Sequence, residues 1–193
     1  MAEQRTERFS STGSQVLGWI GLAAVAVAVV LGIVDRDLGY AAWAWPLCGL
    51  VAVVLWVALV RPSVTVERER LVLRNMLETV TIPMAAIEQV GVGQMIAVRV
   101  GDKRYTGTGI SRSRRQSRKD SGRGEDDLAN LSPGGLLESR IGRLAEDARA
   151  VRGVRLMSDE QAALAAEVRR EPARVEIALL AVLAVAFVVA LVL

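Results

Sequence analysis

Three long runs of uncharged residues constrain this chain more strongly than any other feature of its sequence. They cover residues 16–34, 42–60 and 177–193, which are 19, 19 and 17 residues long. A helix of 19 residues is about 28 Å long, close to the thickness of the hydrocarbon core of a bilayer. We therefore predict two transmembrane helices joined by the short polar turn 35–41, and later a C-terminal transmembrane helix.

A cleaved signal peptide is the competing interpretation of the first run. At 19 residues, this run is longer than the roughly 7 to 15 apolar residues of such peptides, and no small-residue cleavage site precedes the second run. Trp43, Trp45 and Trp56 lie near the two ends of the second run, where their rings favour the lipid headgroup level. Both runs are predicted to be retained as membrane spans.

The placement of arginine predicts the orientation of these spans. Two arginines lie in residues 1–15, one in the turn 35–41, three in residues 61–70 and three in residues 169–174. Basic flanks stay on the cytoplasmic side of a membrane. We therefore predict a cytoplasmic N-terminal tail (1–15), an outer turn, a cytoplasmic segment 61–172, and a last span (173–193) that ends at the outer face.

Several classes of function are excluded by composition. The chain has no histidine and one cysteine, Cys48, which removes imidazole-based catalysis, Cys/His metal clusters and an intrachain disulfide. It has no phosphate-binding glycine motif and no nucleophile elbow. We predict no enzyme activity, no catalytic, cofactor-binding or metal residues, and no cofactor. The spans have no ionisable residue in their interior, which disfavours transport.

Apolar and polar residues alternate over residues 63–108. The alternation falls into six groups separated by glycine, proline or polar residues, and each group is typical of a short antiparallel strand. The apolar members are Val64, Val66, Leu71, Leu73, Val80, Ile82, Ile87, Val90, Val92, Ile96, Val98 and Val100, and residues 103–108 supply the sixth strand. Such a small sheet must curl into a barrel or pack on a helix to bury one face.

The segment 132–172 predicts two amphipathic helices. Ser132 and Pro133 suit the N-cap and the first position of a helix over 133–151. Ser158 and Gln161 form a capping-box pattern that opens a second helix over 159–170, which we interpret as a stalk leading to the third span. The first helix carries an apolar stripe made of Leu137, Ile141, Leu144, Ala148 and Val151.

The chain also resembles a known family. The two spans are followed by Arg61-Pro62-Ser63-Val64-Thr65-Val66, Leu71-Val72-Leu73-Arg74-Asn75, an Ile82-Pro83-x-x-x-Ile87 step and a strand pair around Gly101-Asp102. Over residues 16–110 this order is similar to that of actinobacterial membrane-anchored proteins with a bacterial PH-like domain, although Met84 replaces the usual Trp. The resemblance implies a PH-like β-barrel over 61–110, a packing helix at 133–151 and a place in the bacterial plasma membrane.

Residues 111–124 form a basic loop without apolar residues. Its polar composition predicts a disordered segment over 111–131. One interpretation is attraction to anionic lipid headgroups of the inner leaflet. The other is a solvated insertion whose charge is partly neutralised by the acidic trio at 125–127. The basic residues are Arg112, Arg114, Arg115, Arg118, Lys119 and Arg123.

Together these features predict a non-enzymatic membrane adaptor or scaffold. The two-helix hairpin and the tail helix would hold a cytoplasmic PH-like domain at the inner leaflet, where it offers a face to a protein partner or to copies of itself. The alternative is an anionic-lipid binding or sensing module that uses the basic loop. A nucleic-acid partner is not predicted, because no stacking aromatic residue lies beside that loop.

Overall fold

The structure is a computed structural model that describes residues 7–34, 40–110, 112–113, 115–116 and 131–193. The chain divides into two compact units. The first, here called the β unit, consists of Met1–Ser11 and Pro62–Glu171. The second, the helical unit, consists of Thr12–Arg61 and Pro172–Leu193.

The β unit contains two sheets. Sheet A has the strand order β1-β2-β3-β4-β8, and sheet B has the order β5-β6-β7. Neighbouring strands from β1 to β4 and from β5 to β7 pair antiparallel. The strands are β1 Glu7–Phe9, β2 Ser63–Val66, β3 Arg70–Arg74, β4 Glu78–Pro83, β5 Gln89–Val92, β6 Ile96–Val100, β7 Lys103–Gly107 and β8 Arg169–Pro172.

The six strands predicted from alternation correspond to β2 through β7, so the small antiparallel β component is confirmed. The alternation arises because each strand turns one face to a shared apolar core. On β3, for example, Leu71 and Leu73 are buried, whereas Arg70 and Arg74 are exposed. The turn between β3 and β4 is closed by a hydrogen bond from the Asn75 N–H to the Glu78 carbonyl at 2.8 Å.

Two features of the sheets differ from the prediction. The described strands form two separate sheets and no closed barrel. Sheet A is also extended on both sides by strands that alternation did not identify, because β1 comes from the N-terminal tail 1–15 and β8 comes from the predicted stalk. Both strands are short, at three and four residues, and short strands carry little periodicity to detect.

The predicted packing helix is present as α3, Pro133–Arg152. Its N-cap is Ser132, whose Oγ accepts a hydrogen bond from the Gly135 N–H at 3.2 Å, and it ends at Gly153, which has a φ of 67°. This left-handed conformation at a helix C-terminus favours glycine. The buried face of α3 joins the core of the two sheets through Leu137, Ile141 and Ala145.

The second predicted helix ends earlier than expected. Instead of running over 159–170, α4 covers Asp159–Ala163 and is followed by a 3-10 turn at Leu164–Glu167 and then by β8. The stalk interpretation is therefore wrong for this segment. This segment is part of the β unit, and the side chain of Gln161 hydrogen-bonds to the turn after β4.

The helical unit contains α1 (Thr12–Val34), α2 (Ala44–Leu55) with a π-helical extension at Trp56–Val60, and α5 (Arg174–Val192). In the described part of the chain, α1 and α5 are the helices long and apolar enough to cross a membrane, with mean hydropathies of 2.6 and 3.0. The helix Ala44–Val60 is apolar but shorter. The coarse prediction of apolar terminal helices beside small antiparallel sheets is confirmed.

Glycines allow the helices of this unit to pack closely. A Cβ at Gly18 would lie 2.7 Å from a methyl carbon of Val60, and one at Gly49 would lie 3.0 Å from a methyl carbon of Leu183. At the start of α5, Glu176 accepts a hydrogen bond from Nε of Arg61 at 2.8 Å. This ion pair joins the end of the second apolar helix to the start of the third.

Candidate functional site

The register of sheet A shows which residues of its strands lie together at each of its two ends. At one end, Ser63 lies opposite Arg74, which in turn lies opposite Thr79. We call this the connector end, because β2 starts here and β1 finishes here at Phe9, opposite Val64. At the other end lie the turn between β2 and β3 and the final residues of β4.

Strand β8 also leads to the connector end. The Arg170 guanidinium lies 4.0 Å from the carboxylate of Glu78, at the start of β4, and 5.0 Å from the centre of the Tyr105 ring. Arg169, one residue earlier, lines a cleft with Pro83 at the far end of β4. The chain therefore runs along β8 towards the start of β4 and then leaves the sheet.

Three connectors join the strands of sheet A to the apolar helices, and all three are very short. Ser10 and Ser11 lie between β1 and α1, Arg61 and Pro62 lie between the π-helical segment and β2, and Ala173 lies between β8 and α5. Each connector thus has one or two residues.

A charged cleft lies at the opposite end of sheet A. It has a volume of about 520 Å³ and combines residues from the β2–β3 turn, the end of β4, the end of α3 and the segment that enters β8. We call it the arginine cleft. It is lined by Glu69, Arg70, Thr81, Pro83, Arg152, Ala166, Glu167 and Arg169.

The lining of the arginine cleft has three arginines and two glutamates, which gives it a net charge of +1. Arg152 forms an exposed ion pair with Glu167 at 3.5 Å, and exposed pairs of this kind contribute little to stability. Within the described residues, the guanidinium groups of Arg70 and Arg169 form no ion pair. Glu69 is the second glutamate of the cleft lining, besides Glu167. A guanidinium pairs best with a planar carboxylate or with a phosphate, so the cleft has the chemistry to bind an acidic group.

Gln161 holds one wall of the arginine cleft in place. This side chain is only 1% exposed. Its Nε2 donates to the carbonyls of Ala85 at 3.1 Å and Ile87 at 3.2 Å, and its Oε1 accepts from the Met157 N–H at 2.7 Å. These bonds fix the segment that supplies the cleft residues 166–169. Arg149 adds a second donor to the Ile87 carbonyl at 2.7 Å.

The capping-box pattern identified Gln161 correctly, but not the role of its side chain. The Gln161 N–H does donate to Oγ of Ser158 at 3.2 Å, as a capping box requires. The side chain does not return to the N–H of Ser158, which instead donates to the Arg155 carbonyl. It reaches the turn after β4, and only the folded chain brings that turn close.

The basic loop is only partly covered by the described residues. Arg112 is largely buried, with a side chain that is 9% exposed and lies 3.4 Å from the carboxylate of Glu138. Its N–H also donates to the Gly93 carbonyl at 2.6 Å. Arg115 is exposed. Neither of these two residues lines the arginine cleft, and Arg114, Arg118, Lys119 and Arg123 lie outside the described residues.

A second, shallower depression lies on the outer face of sheet B. Gly91 and Ala97 are neighbours in the register and form its floor. Arg99 and Arg104 are directly opposite each other at its rim, and like charges in such a pair repel. Glu88 reduces this repulsion, because its carboxylate lies 3.7 Å from Arg99.

Comparisons with known proteins supply no relative of this chain. No family model, curated protein or solved structure matches it. Among the described residues, no group of three or more histidine, cysteine, aspartate or glutamate residues is placed to hold a metal ion.

Proposed function

We propose that this chain is a non-enzymatic membrane adaptor with three spans, whose arginine cleft binds an acidic segment of a protein partner on the cytoplasmic side. The β unit would serve as the PH-like domain that the family resemblance implies. The observation that carries the proposal is the register of sheet A, in which all three connectors leave from one end while the cleft lies at the other.

The pairing of β1 with β2 supports the third span. β1 precedes α1, and β2 follows the helix Ala44–Val60, yet the two strands are hydrogen-bonded neighbours from Glu7–Val66 to Phe9–Val64. Two paired strands must lie on the same side of a membrane. If α1 crosses, the chain must therefore cross back before β2, and the helix Ala44–Val60 is the apolar segment available for that crossing.

The length of this helix is compatible with a crossing. Its 17 residues make about 25 Å of helix, somewhat less than an average hydrocarbon core, and a bilayer thins locally around a short span at modest cost. Trp45 and Trp56 lie near its two ends, as is typical of residues at the membrane interface. With three spans, every connector emerges on the same side.

The position of the cleft favours a protein partner over a lipid. The five residues of β3 separate the two ends of sheet A by about 15 Å. With the connector end at the membrane, the cleft faces the aqueous phase. Arg70 and Arg169 then meet acidic groups that arrive from solution, such as an Asp- or Glu-rich segment of a partner or of a second copy.

Photo-crosslinking tests the partner directly. With p-benzoylphenylalanine in place of Ala166, on the cleft wall, we expect a reproducible protein adduct in native membranes. The adduct should disappear when Arg70→Ser and Arg169→Ser are combined. The matched control is the pair Arg99→Ser and Arg104→Ser on sheet B, which should leave it unchanged. An adduct of twice the monomer mass would identify self-association.

Two results would contradict the adaptor proposal. One is an adduct pattern at position 166 that contains only lipid, or no adduct at all. The other is an identical adduct from p-benzoylphenylalanine at Gln94, an exposed residue between the strands of sheet B, because a non-specific neighbour would label both positions.

Orientation is tested by cysteine labelling of intact cells. In a Cys48→Ala background, a cysteine at Ala41 should react with an impermeant thiol reagent, because arginine counting places the turn outside. A cysteine at Gln94 should react only after lysis. Labelling of position 94 in unbroken cells would place the β unit outside and remove the cytoplasmic part of the proposal.

A further inference from the structure

The hairpin that joins β3 to β4 has an apolar tip. Met76 and Leu77 occupy this tip, and each is 44% exposed. The hairpin is closed by the bond from the Asn75 N–H to the Glu78 carbonyl at 2.8 Å. Exposed Arg74 precedes the tip. Two adjacent large apolar side chains at a hairpin tip gain hydrophobic free energy when they leave water.

The base of the hairpin tip is bonded to the rest of the β unit. The Asn75 side chain donates from Nδ2 to the carbonyl of Thr106 on β7 at 2.9 Å, which ties the turn of sheet A to a strand of sheet B. On either side of the tip, Arg74 and Thr79 are paired in register. The backbone on both sides of the tip is therefore anchored within the β unit.

The register places this tip at the connector end of sheet A. Arg74, two residues before Met76, lies directly opposite Ser63. Ser63 follows the apolar segment that ends at Val60 after only two residues, Arg61 and Pro62. An extended chain from Val60 to Ser63 reaches at most about 11 Å.

We propose that Met76 and Leu77 insert into the headgroup region of the bilayer, with Arg74 placed to contact lipid phosphates. The inference rests on the proposed function, since it needs the apolar helices to span a membrane. The connectors are too short to carry the connector end far from the bilayer surface, and an arginine beside apolar residues is the combination that suits an interface with anionic lipid. The β unit is thereby supported on the membrane at a point between its tethers.

Site-directed fluorescence tests this insertion in the full chain. A Leu77→Cys variant in a Cys48→Ala background is labelled with an environment-sensitive nitrobenzoxadiazole dye and reconstituted into phosphatidylcholine–phosphatidylglycerol vesicles. We expect the dye to be quenched by a lipid spin label at the headgroup level, and its quenching by aqueous iodide to be several-fold weaker than at the control. The control is Arg68→Cys, at an exposed position in the turn between β2 and β3, which should show the reverse.

A third label separates this inference from the proposed function. Val182, near the middle of α5, is exposed in the chain, and a dye at Val182→Cys should be quenched by a spin label deep in the acyl chains. If position 182 behaves so while position 77 is as open to iodide as position 68, the insertion is wrong and the membrane proposal stands. If position 182 is open to iodide, the membrane proposal itself fails.

One further outcome would also overturn the insertion. A dye at position 77 that is shielded from both iodide and lipid spin labels would be covered by protein, which indicates a second copy or a partner at the tip. Repeating the measurement with Met76→Cys guards against a local defect at Leu77, because both side chains should report the same lipid depth. Opposite results from the two neighbouring positions would contradict a common insertion.

Discussion

Replacing Gln161 with methionine should loosen the wall of the arginine cleft while the side-chain volume at this position stays nearly the same. The substitution keeps an unbranched side chain of similar size but removes the bonds to Ala85, Ile87 and Met157. The Ile87 carbonyl keeps its bond from Arg149. The buried Ala85 carbonyl loses a partner at a cost of about 2 kcal/mol, and the Met157 N–H, on a more exposed residue, loses one at about 1 kcal/mol.

The resulting loss of about 3 kcal/mol is measurable by hydrogen exchange. In the full chain in detergent micelles, amides of residues 158–172 should exchange about 100-fold faster in Gln161→Met, since about 1.4 kcal/mol corresponds to tenfold in an equilibrium. The control is Gln89→Met, at the exposed first residue of β5, because surface substitutions change stability by about 0.5 kcal/mol at most. Exchange within threefold of wild type over 158–172 would refute the view that Gln161 fastens this segment.

Three further predictions concern two single contacts and the basic loop. Gly109→Ala should destabilise the β unit by about 2 kcal/mol or more in thermal unfolding, because a Cβ there would lie 2.6 Å from the Ser63 backbone, whereas Gly91→Ala meets no atom within 4 Å and should be tolerated. A double-mutant cycle with Arg61→Gln and Glu176→Gln, read by thermal unfolding in micelles, should give a coupling of about 1 to 2 kcal/mol, because both side chains are largely buried. If the basic loop recruits lipid, a peptide of residues 111–124 should bind anionic vesicles with strong salt dependence; binding that persists at high salt would contradict it.

The central strands could be predicted because their burial is local in sequence. On β2, Val64 and Val66 are buried and Thr65 between them is not, so the sequence of the strand itself alternates with a period of two. The helix α3 could be predicted for the same reason, since Ser132 caps its start and Gly153 caps its end. In each case the signal lies within the element that it describes.

The edge strands and the cleft could not be predicted, for the opposite reason. All four residues of β8 are exposed, so no alternation distinguishes them from the preceding helix, and only their pairing with β4 makes them a strand. Arg70 and Arg169 belong to distant parts of the sequence and meet only across that pairing. The sequence likewise shows Arg112 as one basic residue among six, whereas the fold places it beside Glu138.

The origin of β1 determines which part of the chain can be studied in isolation. A fragment that begins at residue 61 would contain β2 through β8 but would lose Glu7–Phe9, and with it the neighbour of β2 in sheet A. The bare edge would expose unpaired backbone groups, which invite pairing with other chains. It would also lose the ion pair between Glu7 and Arg140 at 3.4 Å, which links β1 to α3. Aggregation or vesicle binding by such a fragment would then report the missing strand, so both the cleft and the hairpin tip require the full chain for their tests.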